Sequence, residues 1–419
     1  MDGDHTSRFS KPIDQLTGVR VDDDFGQFEQ KFEVYCRSLW DDTVKDKRSD
    51  KFFEGYYMPY ARARRTDGFS QRDYAFRNAA WHVTNVIRDI EKSGEYRKEK
   101  PGEIRKEGFW DYFTSHDAGW PEPYAFESDE EATKDLRRVA GFFGVGTLRV
   151  CAFDERWMYK TIFSKEKNGS KPQEIPTDLP NVIVTAEPMD RELIKTVPSA
   201  LSGAATGLGY TYDSVSILAL AQYIRNLGYR AFASLNDSAL AIPLALQSGL
   251  GEVGRNGLLI SKEYGPRFRI GKIFTDMPLV HNVPVNLGIA DFCKECDRCA
   301  TACPPKALPF GRPSTTVHSV SNIKGVRKWT PVAEKCFKFW SNQNTDCTIC
   351  IRVCPYNRDF SKFWNKWWFE LARGPFRKLA LKLDDLFADR GRLKASWWWR
   401  PELKKIESGK KVRKKKKPQ

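Results

Sequence analysis

The sequence predicts a mixed α and β fold that carries a cysteine-rich module near its C-terminal end. From about residue 132, segments with apolar residues at helical spacing alternate with short apolar segments typical of strands. Eight of the ten cysteines lie between positions 293 and 354. The length of 419 residues suits two or three domains with a buried core.

The N-terminal part is rich in aromatic and charged residues and contains one clear helix pattern. In SQRDYAFRNAAWHVTNVIRDIEKS, residues 70–93, the apolar positions that recur at helical spacing are Ala75, Ala79, Val83, and Val86 or Ile87. We expect this region to pack on the core.

The following elements alternate in type. EATKDLRRVAGFFG (131–144) predicts a helix that ends at glycine, and DSVSILALAQYIRNLGY (213–229) predicts a helix with Asp213 as N-cap. TLRVCAF, NVIVTAE and RAFASL predict strands. NGLLISKEYGPRFRIGKIFTD (256–276) predicts two strands around a Gly-Pro turn.

The hexapeptide GLGEVG, residues 249–254, matches the dinucleotide-binding pattern G-x-G-x-x-G. That site needs a preceding strand and a following helix of ten or more residues, whereas only RNGLLIS follows before KEYGP. The context therefore argues against a Rossmann site. Glycines still indicate close backbone approach, and a tight turn is the simplest explanation.

The cysteines form two runs, C-x2-C-x2-C-x3-C-P and C-x10-C-x2-C-x3-C-P. In the ferredoxin spacing, three thiolates bind one cubane and the fourth binds a second. Exchanging the fourth ligands predicts two [4Fe-4S] clusters: one held by Cys293, Cys296, Cys299 and Cys354, the other by Cys303, Cys336, Cys347 and Cys350.

Zinc and disulfides are the alternatives. Zinc ribbons usually use two C-x2-C pairs separated by a longer loop, whereas these are longer runs that end in Cys-Pro. Disulfides fit poorly because only Cys36 and Cys151 lie outside the cysteine-rich region. We expect neither of these two residues to bind a cluster.

The net charge of +15 is concentrated in the tail KKIESGKKVRKKKKPQ, a pattern typical of a solvated, disordered end. We therefore expect no nucleic-acid partner. Upstream, FWNKWWFELARGPFRKLALKL and SWWWRPEL combine Trp with Lys and Arg, which suits a membrane surface or a partner protein.

No apolar run approaches the roughly 20 residues that a membrane span needs. The N-terminal residues show neither a twin-arginine start nor an apolar h-region. We expect a chain that stays in the cytoplasm, or has lost a leader, with peripheral contact at the cytoplasmic membrane as a further expectation.

Three motifs together resemble the reductive dehalogenases, cobalamin-dependent iron-sulfur enzymes that replace a carbon-bound halogen with hydrogen. They are GLGYTYDSVSILALAQYIRNLGYRA, GLGEVGRNGLLISKEYGPRFRIGKIFTDMPL and the two cysteine runs, in this order within residues 132–360. RFSKPIDQ and VRVDDDFGQFEQKF are also similar to the family's mature N-terminal region. The glycine motif alone would also fit the epoxyqueuosine reductases.

The resemblance implies an α+β fold, in which a nitroreductase-like core with a base-off corrinoid is joined to a ferredoxin-like module. The domains expected are an N-terminal region (1–130), the corrinoid-binding core (131–285), the module with two [4Fe-4S] clusters (286–360) and a Trp- and Lys-rich C-terminal segment (361–419). The substrate would be a small organohalide. Electrons for the Co(I) corrinoid would come through the clusters from ferredoxin, flavodoxin or a membrane carrier.

The family pattern of a Tyr acid, a supporting Arg and a nearby Asn falls on Tyr210, Arg269 and Asn236. Tyr212 is the rival acid, and Arg269 could equally form an ion pair on a strand. An arginine beside a phenol stabilises the phenolate and attracts departing halide. The expected corrinoid contacts are Gly249, Gly251, Gly254, Asn256 and Gly257.

None of the five histidines lies in a D-x-H-x-x-G pattern, in agreement with a base-off corrinoid. Two other functions stay open. An epoxyqueuosine-reductase-like enzyme acting on tRNA would use an Asp acid and helical repeats, and neither is visible. An electron-transfer iron-sulfur subunit would have no substrate chemistry of its own.

Overall fold

The structure is a computed structural model. It describes residues 20–56, 63–97, 121–164, 169–173, 175–236, 238–387 and 390–407. The N-terminal segment RFSKPIDQ and most of the basic tail lie outside the described residues, so the disorder expected for the tail stays a prediction.

The elements follow one another in three groups. The first group contains β1 (Arg20–Val21), α1 (Val34–Arg37), α2 (Lys47–Glu54), α3 (Gln71–Arg97) and α4 (Asp129–Phe142). The second contains β2 (Thr147–Ala152), β3 (Thr161–Ile162), β4 (Lys171–Pro172), β5 (Asn181–Pro188), α5 (Arg191–Lys195), α6 (Ala200–Asn226), β6 (Ala231–Ser234), α7 (Ala241–Gln247), β7 (Glu252–Val253), β8 (Leu259–Ile260) and β9 (Phe268–Thr275).

The third group begins with the cysteine-rich region. It contains α8 (Ile289–Glu295), α9 (Arg298–Ala302), β10 (Val326–Arg327), α10 (Ala333–Gln343), α11 (Ile349–Arg352), α12 (Phe363–Arg373), α13 (Arg377–Phe387), α14 (Ala395–Trp399) and α15 (Pro401–Glu407). None of the helices in the described ranges is long and apolar enough to span a membrane.

A four-stranded antiparallel sheet in the order β2-β5-β9-β6 lies at the centre of the second group. The inner strand β5 is buried on both faces. Val182 and Val184 belong to one apolar cluster, together with residues of α7, while Ile183 belongs to another with residues of α6. The α+β architecture predicted from the sequence is therefore confirmed.

Helix α6 crosses one face of the sheet. Its N-cap is Ser199, whose side chain accepts a hydrogen bond from the Ser202 amide. Asp213 lies in the middle of this helix and is fully buried, so the prediction that it caps a helix was wrong. The preceding segment ALSGAATGLGYTY extends the helix because its small residues allow close packing: a Cβ on Gly207 would lie 2.5 Å from Trp81 of α3.

The helix predicted at residues 70–93 is present as α3, but the expected face was wrong. The apolar positions Ala75, Ala79, Val83 and Val86 are exposed, and of the predicted residues Ile87 is buried. The buried face is largely polar because α3 packs on α6 through specific contacts. Thr84 shares a hydrogen bond with Ser214, and the Trp81 indole donates to the Gly203 carbonyl.

The remaining predicted helix and strands are present. The two strands predicted at residues 256–276 pair with other strands. The helix at 131–144 forms as α4, and Gly144 after it has φ +85°. The two strands at 256–276 do not pair with each other: β8 pairs with β7, and β9 lies between β5 and β6. Helix α7 precedes GLGEVG and β7 lies inside it, so this segment lacks the dinucleotide-binding context.

Both ends of the described chain contact the cysteine-rich region. Strand β1 pairs with β10, with Arg20 opposite Arg327. Helices α12 and α13 pack on α8, where Trp368 and Phe292 are in edge-on contact. The predicted domain limits at residues 130, 285 and 360 stay predictions.

Candidate active site

Tyr210, Asn236 and Arg269 come together from three elements. Tyr210 lies in the middle of α6, Asn236 follows β6, and Arg269 lies on β9. The Asn236 Nδ2 atom donates to the Tyr210 hydroxyl oxygen at 2.6 Å, and Arg269 Nη1 donates to the same oxygen at 3.4 Å. The structure thus assembles the predicted group. The rival Tyr212 is 57% exposed.

The surroundings of Tyr210 fix its ring. The Arg269 guanidinium carbon lies 4.8 Å from the ring centroid, and the Trp81 ring lies 5.1 Å away at an interplanar angle of 33°. Gly209 makes room for the arginine, because a Cβ there would lie 2.9 Å from Arg269 Cγ. The phenol is therefore held by an aromatic ring and a cation, and Trp81 is a contact that the sequence analysis did not find.

Two buried carboxyl groups lie next to this group. Glu187 is directly opposite Arg269 across the β5–β9 pair, and Asp213 accepts a hydrogen bond from Thr185 at 3.0 Å. Burial raises the pKa of Glu187 to about 7. Burial, and then the charge of Glu187, raise the pKa of Asp213 to about 8, although Lys272 and Arg269 oppose the shift. The sequence patterns did not indicate Glu187, and they predicted Asp213 as an N-cap. The signal that both residues share is an acid inside an otherwise apolar strand or helix.

Arg269 has one further donor available. Among the described residues, its buried Nε atom has no hydrogen-bond partner. A half-buried phenol beside a free guanidinium donor fits a site that protonates a substrate and receives an anion. This donor set suits the chemistry expected around a corrinoid, and it argues against the alternative of a strand-face ion pair for Arg269.

The predicted corrinoid contacts in the glycine motif have a different explanation. A Cβ on Gly249 would lie 2.1 Å from the Val283 carbonyl oxygen, and one on Gly251 would lie 2.3 Å from that of Ile260. A Cβ on Gly254 would meet the Ile260 side chain, and one on Gly257 would meet Pro331. The chain's own atoms thus account for these four glycines, and their role toward a corrinoid stays a prediction.

The first predicted cysteine set lines one cavity with an empty volume of about 300 Å³: Cys293, Cys296, Cys299 and Cys354. Burial raises the pKa of Cys299 to about 12, and burial also raises the pKa values of the other three thiols. Arg255 and Asn256 line the same cavity, so Asn256 lies beside these cysteines. Four thiols around one cavity fit a cubane.

The second predicted set also comes together. Burial and then the charges of Cys347 and Cys303 raise the pKa of Cys336 to about 12. Burial and then the charges of Cys347, Cys336, Cys299 and Cys303 raise the pKa of Cys350, so Cys299 of the first set also lies near it. All ten cysteines are free thiols, and the described residues contain no group of three or more His, Cys, Asp or Glu that forms a site for a single metal ion.

Two family models match this chain. Residues 159–279 match the reductive dehalogenase subunit, and residues 292–357 match the 4Fe-4S double cluster binding domain. Over the first of these segments the chain is similar to the reductive dehalogenase family. The first match includes Tyr210, Asn236 and Arg269, and the second includes all eight clustered cysteines.

Curated relatives agree with this family. A tetrachloroethene reductive dehalogenase of Desulfitobacterium hafniense is 32% identical over 273 residues, which cover 56% of this chain and 50% of that protein. The tetrachloroethene reductive dehalogenase of Sulfurospirillum multivorans is 35% identical over 184 residues, which cover 44% of this chain and 37% of that protein. The chain thus spans about half the length of the first of these relatives, or less. An epoxyqueuosine reductase of Lactococcus garvieae is 35% identical over 127 residues, which cover 30% of this chain and 34% of that protein.

A solved structure of a catabolic reductive dehalogenase has the same fold. It aligns with a TM-score of 0.66 at 18% identity, covering 91% of this chain and 50% of that one. The alignment extends well beyond the two family models, so the N- and C-terminal parts described here share in the reductive dehalogenase fold.

Proposed function

We propose that this protein is a cobalamin-dependent reductive dehalogenase that replaces a halogen of a small organohalide with hydrogen. The observation that carries the proposal is the hydrogen-bonded group of Tyr210, Asn236 and Arg269 within the segment that matches the family. A bound corrinoid would supply a strongly reducing cobalt centre that cleaves the carbon–halogen bond.

Tyr210 supplies the proton in this proposal. Its oxygen accepts hydrogen bonds from both Asn236 and Arg269, so its own O–H is free to point toward a substrate carbon. The same two donors stabilise the phenolate that remains after proton transfer, since hydrogen bonds and positive charge favour the charged form. Asn236 also fixes the direction of the hydroxyl.

Arg269 has a second task in this proposal. Its positive charge lies beside the Tyr210 hydroxyl, at the position where the substrate would react. The unpaired Nε gives it a donor that Tyr210 does not use. We assign it the attraction of the halide that leaves the substrate.

The eight cysteines would hold the two [4Fe-4S] clusters, and each set of four would bind one cluster. Ferredoxin, flavodoxin or a membrane carrier would deliver electrons to them. We also propose that the protein acts in the cytoplasm.

The decisive experiment is halide release by protein reconstituted anaerobically with iron, sulfide and cobalamin. With a chemical reductant and tetrachloroethene as probe, we expect chloride release that requires the corrinoid. Protein that carries both clusters but no corrinoid is the matched control. Corrinoid uptake without chloride from any organohalide, together with turnover of an epoxyqueuosine-containing tRNA stem-loop, would favour the epoxyqueuosine-reductase alternative. Failure to bind corrinoid at all would favour an electron-transfer subunit.

We further propose that α12 and α13 contact an anionic membrane surface. Phe363 and Trp364 on α12 and Phe387 on α13 are more than 70% exposed, and Lys366, Lys378 and Lys382 lie on the same two helices. Exposed aromatic rings beside lysines suit the interface of a bilayer with acidic lipids.

Co-sedimentation with vesicles tests this surface. The protein should bind vesicles that contain phosphatidylserine more tightly than neutral ones, and Trp364→Ser with Phe387→Ser should weaken that binding. Phe142→Ser is the matched control, because Phe142 is 81% exposed on α4. Equal binding by all three proteins would contradict the proposal.

A further inference from the structure

Two buried hydrogen-bond donors line the cavity of the first cysteine set. Asn256 is 5% exposed and Tyr356 is 1% exposed, and both line the cavity with Cys293, Cys296, Cys299 and Cys354. Among the described residues, neither the Asn256 Nδ2 atom nor the Tyr356 hydroxyl has a hydrogen-bond partner. Buried polar atoms rarely stay unpaired, because the loss of water is costly.

The orientation of Asn256 is fixed by its other end. Its Oδ1 atom accepts a hydrogen bond from the Leu258 amide at 3.2 Å, which leaves the amide nitrogen as the free group. Tyr356 is held by edge-on contacts with Phe292 and Trp368 at 5.2 and 5.3 Å. Both donors are therefore held in place without a partner inside the protein.

A buried cation accompanies them. Arg255 is 3% exposed, and its guanidinium donates to the carbonyl oxygens of Cys293 and Cys296 at 2.6 and 2.8 Å. Its other bonds go to the carbonyls of Pro309 and Gly311, and no carboxylate in the described residues pairs with it. A buried charge needs a counter-charge, and a cluster with four thiolate ligands carries one.

We propose that Asn256 and Tyr356 donate hydrogen bonds to the sulfur atoms of the [4Fe-4S] cluster held by Cys293, Cys296, Cys299 and Cys354, and that Arg255 balances its negative charge. Together the three residues raise the reduction potential of this cluster. The physical reason is that hydrogen bonds and positive charge stabilise the reduced, more negative state. The inference depends on the predicted cluster and not on the proposed substrate.

Reductive titration followed by electron paramagnetic resonance tests the proposal on protein that carries both clusters. Tyr356→Phe removes only the hydroxyl, and Asn256→Leu removes the amide at similar size. Each should lower the midpoint potential of this cluster by about 59 mV, the equivalent of a tenfold shift for one electron. The signals are assigned beforehand with Cys296→Ser and Cys347→Ser.

Two controls separate a local effect from a general one. The potential of the second cluster should not change, and Tyr159→Phe should alter neither, since Tyr159 is buried in another apolar cluster and donates to Glu33. An unchanged potential in Tyr356→Phe overturns the proposal, even if Asn256→Leu fails to assemble. The titration uses no organohalide, so its result is independent of whether the protein releases halide.

Discussion

Tyr210 is the residue on which the proposed chemistry depends most. Tyr210→Phe keeps the ring that packs against Trp81 and Arg269 but removes the acid. We expect cluster and corrinoid content near wild type, with turnover reduced by roughly 10²–10⁴-fold, the usual contribution of a positioned general acid. Chloride release under the conditions given above is the measurement.

Tyr212→Phe serves as the matched control, because Tyr212 lies on the same helix and is exposed. It should retain nearly full activity. Arg269→Lys keeps the charge but loses the planar fork, so it should be less damaging than Arg269→Ala. Wild-type rates in Tyr210→Phe together with loss of activity in Tyr212→Phe would assign the acid to the other tyrosine.

Asp213 makes the stability of the protein depend on pH. Its pKa is about 8 in the folded chain and near the ordinary value of 3.8 when unfolded. Between these values the folded chain holds a proton that the unfolded chain lacks. The stabilising contribution is therefore complete below the lower value and is lost as pH rises through the upper one.

Asp213→Asn removes this titration. We expect the free energy of unfolding of the variant, relative to wild type, to increase between pH 5 and pH 8, by up to about 1.4 kcal/mol for each pH unit. Denaturant unfolding at several pH values measures the difference. A constant difference across that range would mean that Asp213 is already ionised in the fold.

The sequence could predict which three side chains come together, but not their electrostatic setting. Tyr210, Asn236 and Arg269 lie in motifs that can be matched residue by residue. Glu187 is near them because β5 and β9 pair in one register, with Glu187 opposite Arg269, and no local pattern encodes that register.

At the scale of elements, the turn at GLGEVG can be tested with alanine. Gly249 has φ +68°, and a Cβ there would lie 2.1 Å from the Val283 carbonyl oxygen. We expect Gly249→Ala to destabilise the protein by at least ~1 kcal/mol, because both the backbone conformation and the contact oppose a side chain. Thermal or denaturant unfolding measures the change.

Gly141→Ala is the control for the same substitution. Gly141 lies in α4 with open space around its Cβ position. Alanine is the better helix former by about 1 kcal/mol, so this variant should equal or exceed wild-type stability. A Gly249→Ala variant as stable as Gly141→Ala would show that the turn can relax around a side chain.

The two wrong predictions about helices, the buried face of α3 and the N-cap role of Asp213, share one cause. The apolar spacing in residues 70–93 correctly indicated a helix, but α3 buries its polar side against α6 through Arg77, Thr84 and the Trp81 indole. Asp213 resembled an N-cap because acids usually avoid helix interiors. In both places, tertiary polar contacts replaced the local preference on which the predictions depended.

At the scale of the whole molecule, the cysteine sets define an iron content. Reconstituted protein should carry about eight iron and eight sulfide atoms per chain, as two cubanes require. Cys36→Ser and Cys151→Ser should leave this content unchanged, because neither thiol lies in a cluster set. Chemical iron and sulfide analysis measures both.

Cys350→Ser should reduce the content of the second cluster and leave the first one intact. Of the four cysteines whose charges act on Cys350, three belong to the second set: Cys347, Cys336 and Cys303. Retention of both clusters in this variant would show that the ligand sets are wrongly divided. Removal of iron by a chelator should weaken the packing of both sets, since the thiols form no disulfides that would bridge them.

The pairing of β1 with β10 has a consequence for synthesis. Arg20 cannot meet Arg327 until about 300 further residues have left the ribosome, which takes ~15–60 s at the usual rate of translation. During that interval β1 has no partner strand, while the strands of the central sheet, which lie between β1 and β10 in the sequence, are synthesised. A nascent-chain pulse-proteolysis series would therefore find β1 protease-sensitive until the segment around Val326 emerges, so that this strand is secured long after it is made.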